Sequence, residues 1–242
     1  MVNPHFLLIL KKRMFTYYGT KKKLSPNYPK PSFDTIIEPF AGAAMYSLFD
    51  NYWEKNVILN DKYDKVFMVW DYLINQASVT DIKNLPKLTE GVKIDDLTIS
   101  DAEKVLLGFY ANPSSAVPKK TVTKRGEIGW ERHQKYLIDN LYKVKHWKIY
   151  SKSYDELENV KGTWYIDPPY KFGGEYYHSS TSNKHIDYDK LAEWCLSRNG
   201  EIIVCENDKA DWLDFKPLVE LNGQLHKTME VIYYKNNEKI LE

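Results

Sequence analysis

The stretch 34–44, Asp-Thr-Ile-Ile-Glu-Pro-Phe-Ala-Gly-Ala-Ala, decides the fold. Residues 34–38 form a short apolar run, the pattern of a buried strand. The run ends at Pro39 and opens into Phe40-Ala41-Gly42-Ala43-Ala44, a loop of small residues, after which a helical pattern is expected from Ala44 to about Tyr52. Val57-Ile58-Leu59 is a second apolar strand that ends at Asn60-Asp61. Residues 65–76 then carry helical periodicity, with Val66, Val69, Trp70 and Leu73 on one face. Strand, loop, helix, strand, helix is the opening of a parallel α/β sheet.

The same alternation returns late in the chain. Residues 147–150 predict a strand, 154–159 a helix, 163–167 a strand, 188–197 a helix and 201–205 a buried strand. At the C-terminal end, runs at 215–221 and 228–234 flank Asn222-Gly223, a tight-turn signal, and predict a hairpin. Residues 77–147 break the rhythm. They carry a weak helix at 100–110, an Asn112-Pro113-Ser114-Ser115 loop, a basic stretch with Gly126 and Gly129, and a helix at 131–143. The expected organisation is therefore one α/β domain built from 1–76 and 148–242, a mostly parallel sheet closed by an antiparallel hairpin, with 77–147 inserted.

Composition bounds the function. The chain has 242 residues and a net charge of only +1, so it is not basic throughout. Its cations cluster instead: Lys11, Lys12, Arg13, Lys21, Lys22 and Lys23 early, then Lys119, Lys120, Lys124, Arg125 and Arg132 in the insertion. Clustered cations on a neutral protein suit a phosphate-contacting face or simply a solvated one. The 19 tyrosines offer flat faces with a polar tip, as base-contacting surfaces use, or reflect composition bias alone. Cys195 and Cys205 are too few for a disulfide framework or a zinc site, and fit buried thiols in a reducing cytoplasm. No stretch reads as a membrane span. Phe6–Leu10 is too short for a signal-peptide core, and 1–13 read as an extension ahead of a second possible start at Met14.

Chemistry concentrates in Trp164-Tyr165-Ile166-Asp167-Pro168-Pro169-Tyr170. A strand carries Asp167 to its C-terminal end, where open α/β sheets place their sites. Pro168 and Pro169 stiffen the turn and remove two N–H donors. What is left is a carboxylate, free carbonyls and an aromatic ring. Asp167 and the Pro168 carbonyl would accept the two hydrogens of an exocyclic amine, and Tyr170 would stack on its ring. The bland alternative is a Pro-Pro turn after an edge strand. In the first loop, Gly42 lets the backbone approach a ligand, and Asp61, about twenty residues on, stands where an acid binds ribose hydroxyls. The three-glycine phosphate fingerprint is absent, which disfavours NAD. A tight turn with Asp61 as a helix cap is the alternative there. Trp130 reads as local core, and His133 and His185 as surface or structural.

Three motifs in order, Tyr17-Tyr18-Gly19-Thr20-Lys21, Phe40-Ala41-Gly42-Ala43-Ala44 and Asp167–Tyr170, resemble those of the Dam-like, α-group, site-specific DNA adenine-N6 methyltransferases. The resemblance covers most of the chain from about Phe15 and is weakest in the insertion. It implies a Rossmann-like methyltransferase fold, S-adenosylmethionine as cofactor, DNA as partner, no metal, and a target-recognition role for 77–147. It also implies individual roles. Lys21 would neutralise the donor's carboxylate, with Tyr17 beside it. Glu38, Phe40 and Gly42 would pack on its methionine and ribose parts. Asp61 would hold the ribose, and Ser153 and Tyr154 would meet its adenine. Asp167, Pro168, Pro169 and Tyr170 would hold the flipped base, and Met229–Tyr234 would be the closing strand. Lys119, Lys120, Lys124, Arg125 and Arg132 would contact DNA. Thr20 and Ala44 depart from the family pattern at positions it fills with glycine, and either change would strain its loop or weaken donor binding. The class suits a bacterium or bacteriophage, alone or beside a separate restriction nuclease. Cytosine N4, RNA or a protein amide as acceptor, and a DNA-binding protein without catalysis, are the other readings.

Overall fold

A computed structural model describes residues 13–21, 24–174, 182–222 and 227–236. Phe6–Leu10, Lys11, Lys12, Lys22, Lys23 and Gly223 lie outside them. Seven strands form one sheet: β1 (Thr35–Glu38), β2 (Asn56–Asn60), β3 (Lys148–Tyr150), β4 (Gly162–Ile166), β5 (Gly200–Asn207), β6 (Lys216–Asn222) and β7 (Lys227–Asn236). Their order is β3-β2-β1-β4-β5-β7-β6. The first five in that order pair in parallel, and β7 pairs antiparallel with both β5 and β6. This is the expected mostly parallel sheet closed by a hairpin, compatible with a Rossmann-like fold. Among the described residues the α-helices are α1 (Asp64–Asp71), α2 (Val79–Asn84), α3 (Asp101–Ala111), α4 (Lys124–Asn140) and α5 (Tyr188–Leu196). None is long and apolar enough to cross a membrane.

The strand sequences explain the layers. Side chains alternate across a strand, so a strand covered on both faces is apolar throughout. Every residue of β4 is buried. Its Trp164 and Ile166 join Ile37, Ile202, Val204 and α5 residues Leu191 and Trp194 on one face. Tyr165, Ile36, Ile203 and Cys205 point to the other. On that second face, insertion residues Leu106, Phe109, Tyr110 and Trp130 form one continuous cluster with Phe15, Val66 and Trp70. The insertion thus packs as part of the same domain core, and Trp130 is core as expected.

The N-terminal segment 13–21 threads between these layers. Met14 and Phe15 are fully buried. The Tyr110 hydroxyl donates to the Met14 carbonyl, and Thr16 Oγ1 donates to the Phe109 carbonyl. Phe15 contacts Trp70 and Phe109 edge to face or tilted, at centroid distances of 5.6 and 5.3 Å.

Four local expectations are corrected. Residues 44–52 form irregular turns rather than a helix, because Ala44 and Asp50 adopt φ of 47° and 51°, which no right-handed helix contains. The helix at 65–76 is α only to Asp71 and closes in a π-turn at Tyr72–Gln76. Residues 154–159 yield only a 3-10 turn at Tyr154–Glu156. The helix expected at 131–143 starts earlier, at Lys124, because the Thr123 side chain caps it by accepting the Gly126 N–H. The hairpin itself stands as expected, Lys216–Asn222 pairing with Lys227–Asn236.

Of the two glycines inside α4, Gly126 is required by packing. A Cβ on Gly126 would lie 2.4 Å from the Ala111 carbonyl oxygen and 2.8 Å from that of Tyr110. Helix propensity alone makes glycine-to-alanine stabilising. Here the backbone of α3 blocks the added methyl, so Gly126→Ala is expected to destabilise the chain by roughly 1–3 kcal/mol. Urea unfolding checks this, and a gain in stability would show that α3 and α4 do not approach so closely.

Candidate active site

β1 and β4 are neighbours whose following connections leave to opposite sides of the sheet. That switch point opens a crevice at the C-terminal strand ends, where ligands of open α/β sheets bind. The loop after β1, Asp61 after β2, Ser153 and Tyr154 after β3, and Asp167 after β4 all line one cleft there, with Tyr17 and Lys21 from the N-terminal segment. The cleft encloses about 950 Å³, its open mouth included.

Buried acids brace the loop after β1. Gly42 takes φ 47°, and its N–H donates to Asp61 Oδ2 at 2.9 Å. Asp61 Oδ1 accepts the Tyr63 N–H, also at 2.9 Å. The Trp70 indole donates to the Gly42 carbonyl at 2.8 Å. A Cβ on Gly42 would stand 3.2 Å from the Tyr17 ring. Glu38 Oε1 accepts the Ser47 N–H at 2.9 Å. Glu38 and Asp61 therefore hold the loop as well as facing the cleft. Ala44 takes φ 47° and carries the strain of a side chain in the left-handed region.

Burial sets the charges of these acids. It raises Glu38 to about 8, with the Ser47 hydrogen bonding opposing the rise. It raises Asp61 to about 6 against the pull of the Gly42 and Tyr63 amides.

Asp167 sits on a turn fixed from three sides. The Tyr188 hydroxyl of α5 donates to the Pro169 carbonyl at 2.5 Å. The Lys171 N–H donates to Glu206 Oε1 of β5 at 2.6 Å. The Tyr170 hydroxyl donates to Glu230 Oε1 of β7 at 2.7 Å. Lys21 Nζ approaches Asp167 Oδ1 to 2.9 Å. The approach is an ion pair rather than an aligned hydrogen bond, and this buried oxygen has no hydrogen-bond partner. Burial raises Asp167 to about 6; the Lys21 charge opposes that rise and Glu230 adds to it. Lys21 Nζ also lies 4.2 Å from the Tyr170 ring centroid. Lys21, not Tyr170, therefore forms the cleft wall at this point, and Pro168 is buried beneath it.

At the opposite end the cleft is apolar. Phe40 and Tyr154 pack at 5.5 Å with their planes 36° apart, and Trp194 supports Tyr154 edge-on. Ser153 closes its own turn, its N–H donating to Glu156 Oε2 at 2.8 Å. Ser182, His185 and Ile186 complete this end. Sequence reading did not place them in the cleft; His185, read as surface or structural, is exposed there at the cleft rim. They follow a long loop with no motif of their own, and only the folding of 182–186 back over the strand ends brings them in.

The basic residues of the insertion divide into two groups. All five are exposed. Lys120 pairs with Asp95 at 3.1 Å and Lys124 with Glu127 at 2.8 Å. Arg125 and Arg132 stand two turns apart on α4. Arg13, missed as a member of this group, lies close enough to feel both charges: burial first, then Arg125 and Arg132, lowers its pKa. The Arg13 segment continues to Tyr18, whose N–H donates to the Ser115 carbonyl of the insertion at 3.2 Å, and on to Lys21. His133 packs on the Tyr110 ring at 4.9 Å. Among the described residues no group of three His, Cys, Asp or Glu side chains could hold a metal ion.

The chain matches no model of a known protein family, and no curated protein matches it.

The raised acids make stability depend on pH. Glu38 binds its proton more tightly folded than unfolded, so its contribution to stability is present at low pH and is lost as pH rises through about 8. Urea midpoints are expected to fall between pH 7 and 9. Glu38→Gln keeps an acceptor for the Ser47 N–H but cannot ionise, and should flatten that fall. An equal slope in the variant would mean Glu38 is not the titrating group.

Proposed function

We propose that this protein methylates the N6 amine of a flipped-out adenine in a short DNA sequence, with S-adenosylmethionine as the donor. The observation that carries the reading is Asp167: a largely buried carboxylate on a rigid Pro-Pro turn in the switch-point cleft, whose Oδ1 faces Lys21 Nζ at 2.9 Å without an aligned hydrogen bond.

The cleft residues fit the donor. Gly42 leaves room where a side chain would meet Tyr17. Asp61 supplies acceptors for hydroxyls beside the loop, and the Phe40–Tyr154 pair offers an apolar slot for a flat ring. Lys21 supplies the cation that a carboxylate needs. When bound, S-adenosylmethionine supplies an electrophilic methyl group on a sulfonium.

The chain's own residues supply position and acceptors. An adenine leaves the stack at a cost of about a few kcal/mol. Asp167 accepts one amine hydrogen and the Pro168 carbonyl the other, which turns the nitrogen lone pair toward the cleft. A carboxylate with a pKa of about 6 is ionised at neutral pH and still basic enough to take up the proton that the amine would lose as the N–C bond forms and the methyl–sulfur bond breaks, its electron pair staying on the thioether sulfur. Tyr170 offers its ring to the base. Rate enhancement rests on orientation and fixed acceptors, not on a covalent intermediate. Arg13, Arg125 and Arg132 contribute a positive face for the phosphate backbone, with Lys119 beside them and Lys120 and Lys124 drawn partly to their acidic neighbours.

The test is methylation mapping of genomic DNA by long-read sequencing, with wild-type and Asp167→Ala chains expressed in a methylation-free host. The expected result is N6-methyladenine at one short motif with wild type and none with the variant. Soluble wild-type protein that leaves the DNA unmodified contradicts the proposal. Methylation at cytosine N4 or in RNA would move the same chemistry to another acceptor, and DNA binding without transfer would favour a purely binding protein.

A further inference from the structure

We infer that Glu230 and Tyr28 are positioning residues for Tyr170; the role in catalysis rests on the adenine-methylating reading above. Glu230 is buried in β7, and one of its oxygens, Oε1, receives both phenols: Tyr28 at 2.6 Å and Tyr170 at 2.7 Å. These three residues come from the N-terminal segment, the turn after β4 and the closing hairpin. No lysine or arginine among the described residues pairs with Glu230.

Burying a carboxyl group without a cation costs more than filling the same space with an apolar side chain. Stability alone would place leucine or phenylalanine at this point of β7. What the carboxylate adds is direction. A tyrosine has two side-chain torsions, and fixing its hydroxyl as well as its Cα leaves only rotation about the ring axis. Charge-assisted hydrogen bonds to a carboxylate are the stronger kind, and the second phenol fixes the carboxylate in turn.

Tyr28 is itself immobilised. Its ring meets Tyr165 edge-on at 5.2 Å, and Tyr165 stacks flat on Tyr46 at 4.2 Å with an interplanar angle of 3°. The Tyr46 hydroxyl donates to the Pro29 carbonyl at 2.8 Å. An aromatic chain therefore runs from β4 to the carboxylate that holds Tyr170. Lys21 lies over one face of the ring so anchored, beside Asp167. Glu230 and Tyr28 do not line the donor cleft. Their effect must pass through the Tyr170 ring.

The test uses the full chain with tyrosines labelled at Cζ, and the variants Glu230→Leu and Glu230→Gln. Tyr28→Phe and Tyr170→Phe assign the two resonances. Both Cζ resonances are expected to move in Glu230→Leu and, less, in Glu230→Gln, whose amide oxygen still accepts. Transfer to DNA should fall about 10- to 100-fold in Glu230→Leu, as loss of a hydrogen bond to a charged group implies. Donor affinity should stay unchanged, and Glu230→Gln should recover most of the rate. Unmoved resonances in either variant, or a folded Glu230→Leu chain with wild-type transfer, would overturn the inference. So would a loss of donor affinity equal to the loss of rate. If wild type transfers no methyl group, the adenine reading and the catalytic role fall together, while the resonances still decide whether Glu230 tethers Tyr170.

Discussion

The ion pair between Lys21 and Asp167 is the contact on which the rest of the site depends. It joins the N-terminal segment to the end of β4 across the switch point. Lys21 is nearly buried, and so is the acid it faces. A charge in that environment is tolerable only when an opposite charge offsets its desolvation. The compensation is partial: burial still holds Asp167 up at about 6 against the Lys21 charge, and Glu230 adds to the rise. The result is a carboxylate that is ionised at neutral pH, fixed in place and short of hydrogen bonds. That combination suits recognition of an amine better than it suits stability.

Around this pair the loops are held by polar contacts that cross the sheet ends. Asp61 ties the loop after β1 to the end of β2. The Asn60 side chain donates to the carbonyls of Pro39 and Lys152, joining the loops after β1 and β3. Tyr188, Glu206 and Glu230 hold the turn after β4. A cleft built this way is largely formed in advance, so a ligand meets fixed partners and less ordering is needed on binding. The insertion shares this rigidity, because Phe109 and Tyr110 hold the backbone of segment 13–21 through the Thr16 and Met14 contacts. The cations of α4 and the Asp167 carboxylate are thus linked through the nine residues of segment 13–21.

The parts of this structure that were legible in the sequence are those governed by short-range pattern. The apolar run 34–38, the strand ending at Asp167 and the buried run at 201–205 gave the sheet. Their order along the chain gave the site. Asp61, Lys21, Ser153 and Tyr154 all reached the cleft as expected. What stayed hidden depends on contacts distant in sequence or on unusual backbone. Positive φ at Ala44 and Asp50 abolished a helix that composition favoured. The Thr123 cap lengthened α4 through a stretch that two glycines had marked as loop. Glu230 sits 60 residues from Tyr170 and 202 from Tyr28, and no local signal links the three. His185 and Arg13 gained their places only through tertiary packing.

The most direct measurement is a calorimetric titration of the wild-type chain and of Lys21→Met with S-adenosylmethionine, in the absence of DNA. A cleft that holds the donor's carboxylate through Lys21 predicts saturable binding at one site per chain in wild type. It predicts roughly 10- to 100-fold weaker binding in the variant, the loss expected for a charge-assisted hydrogen bond. No saturable binding to folded wild-type protein, or equal affinity in both chains, would contradict a donor site built on Lys21.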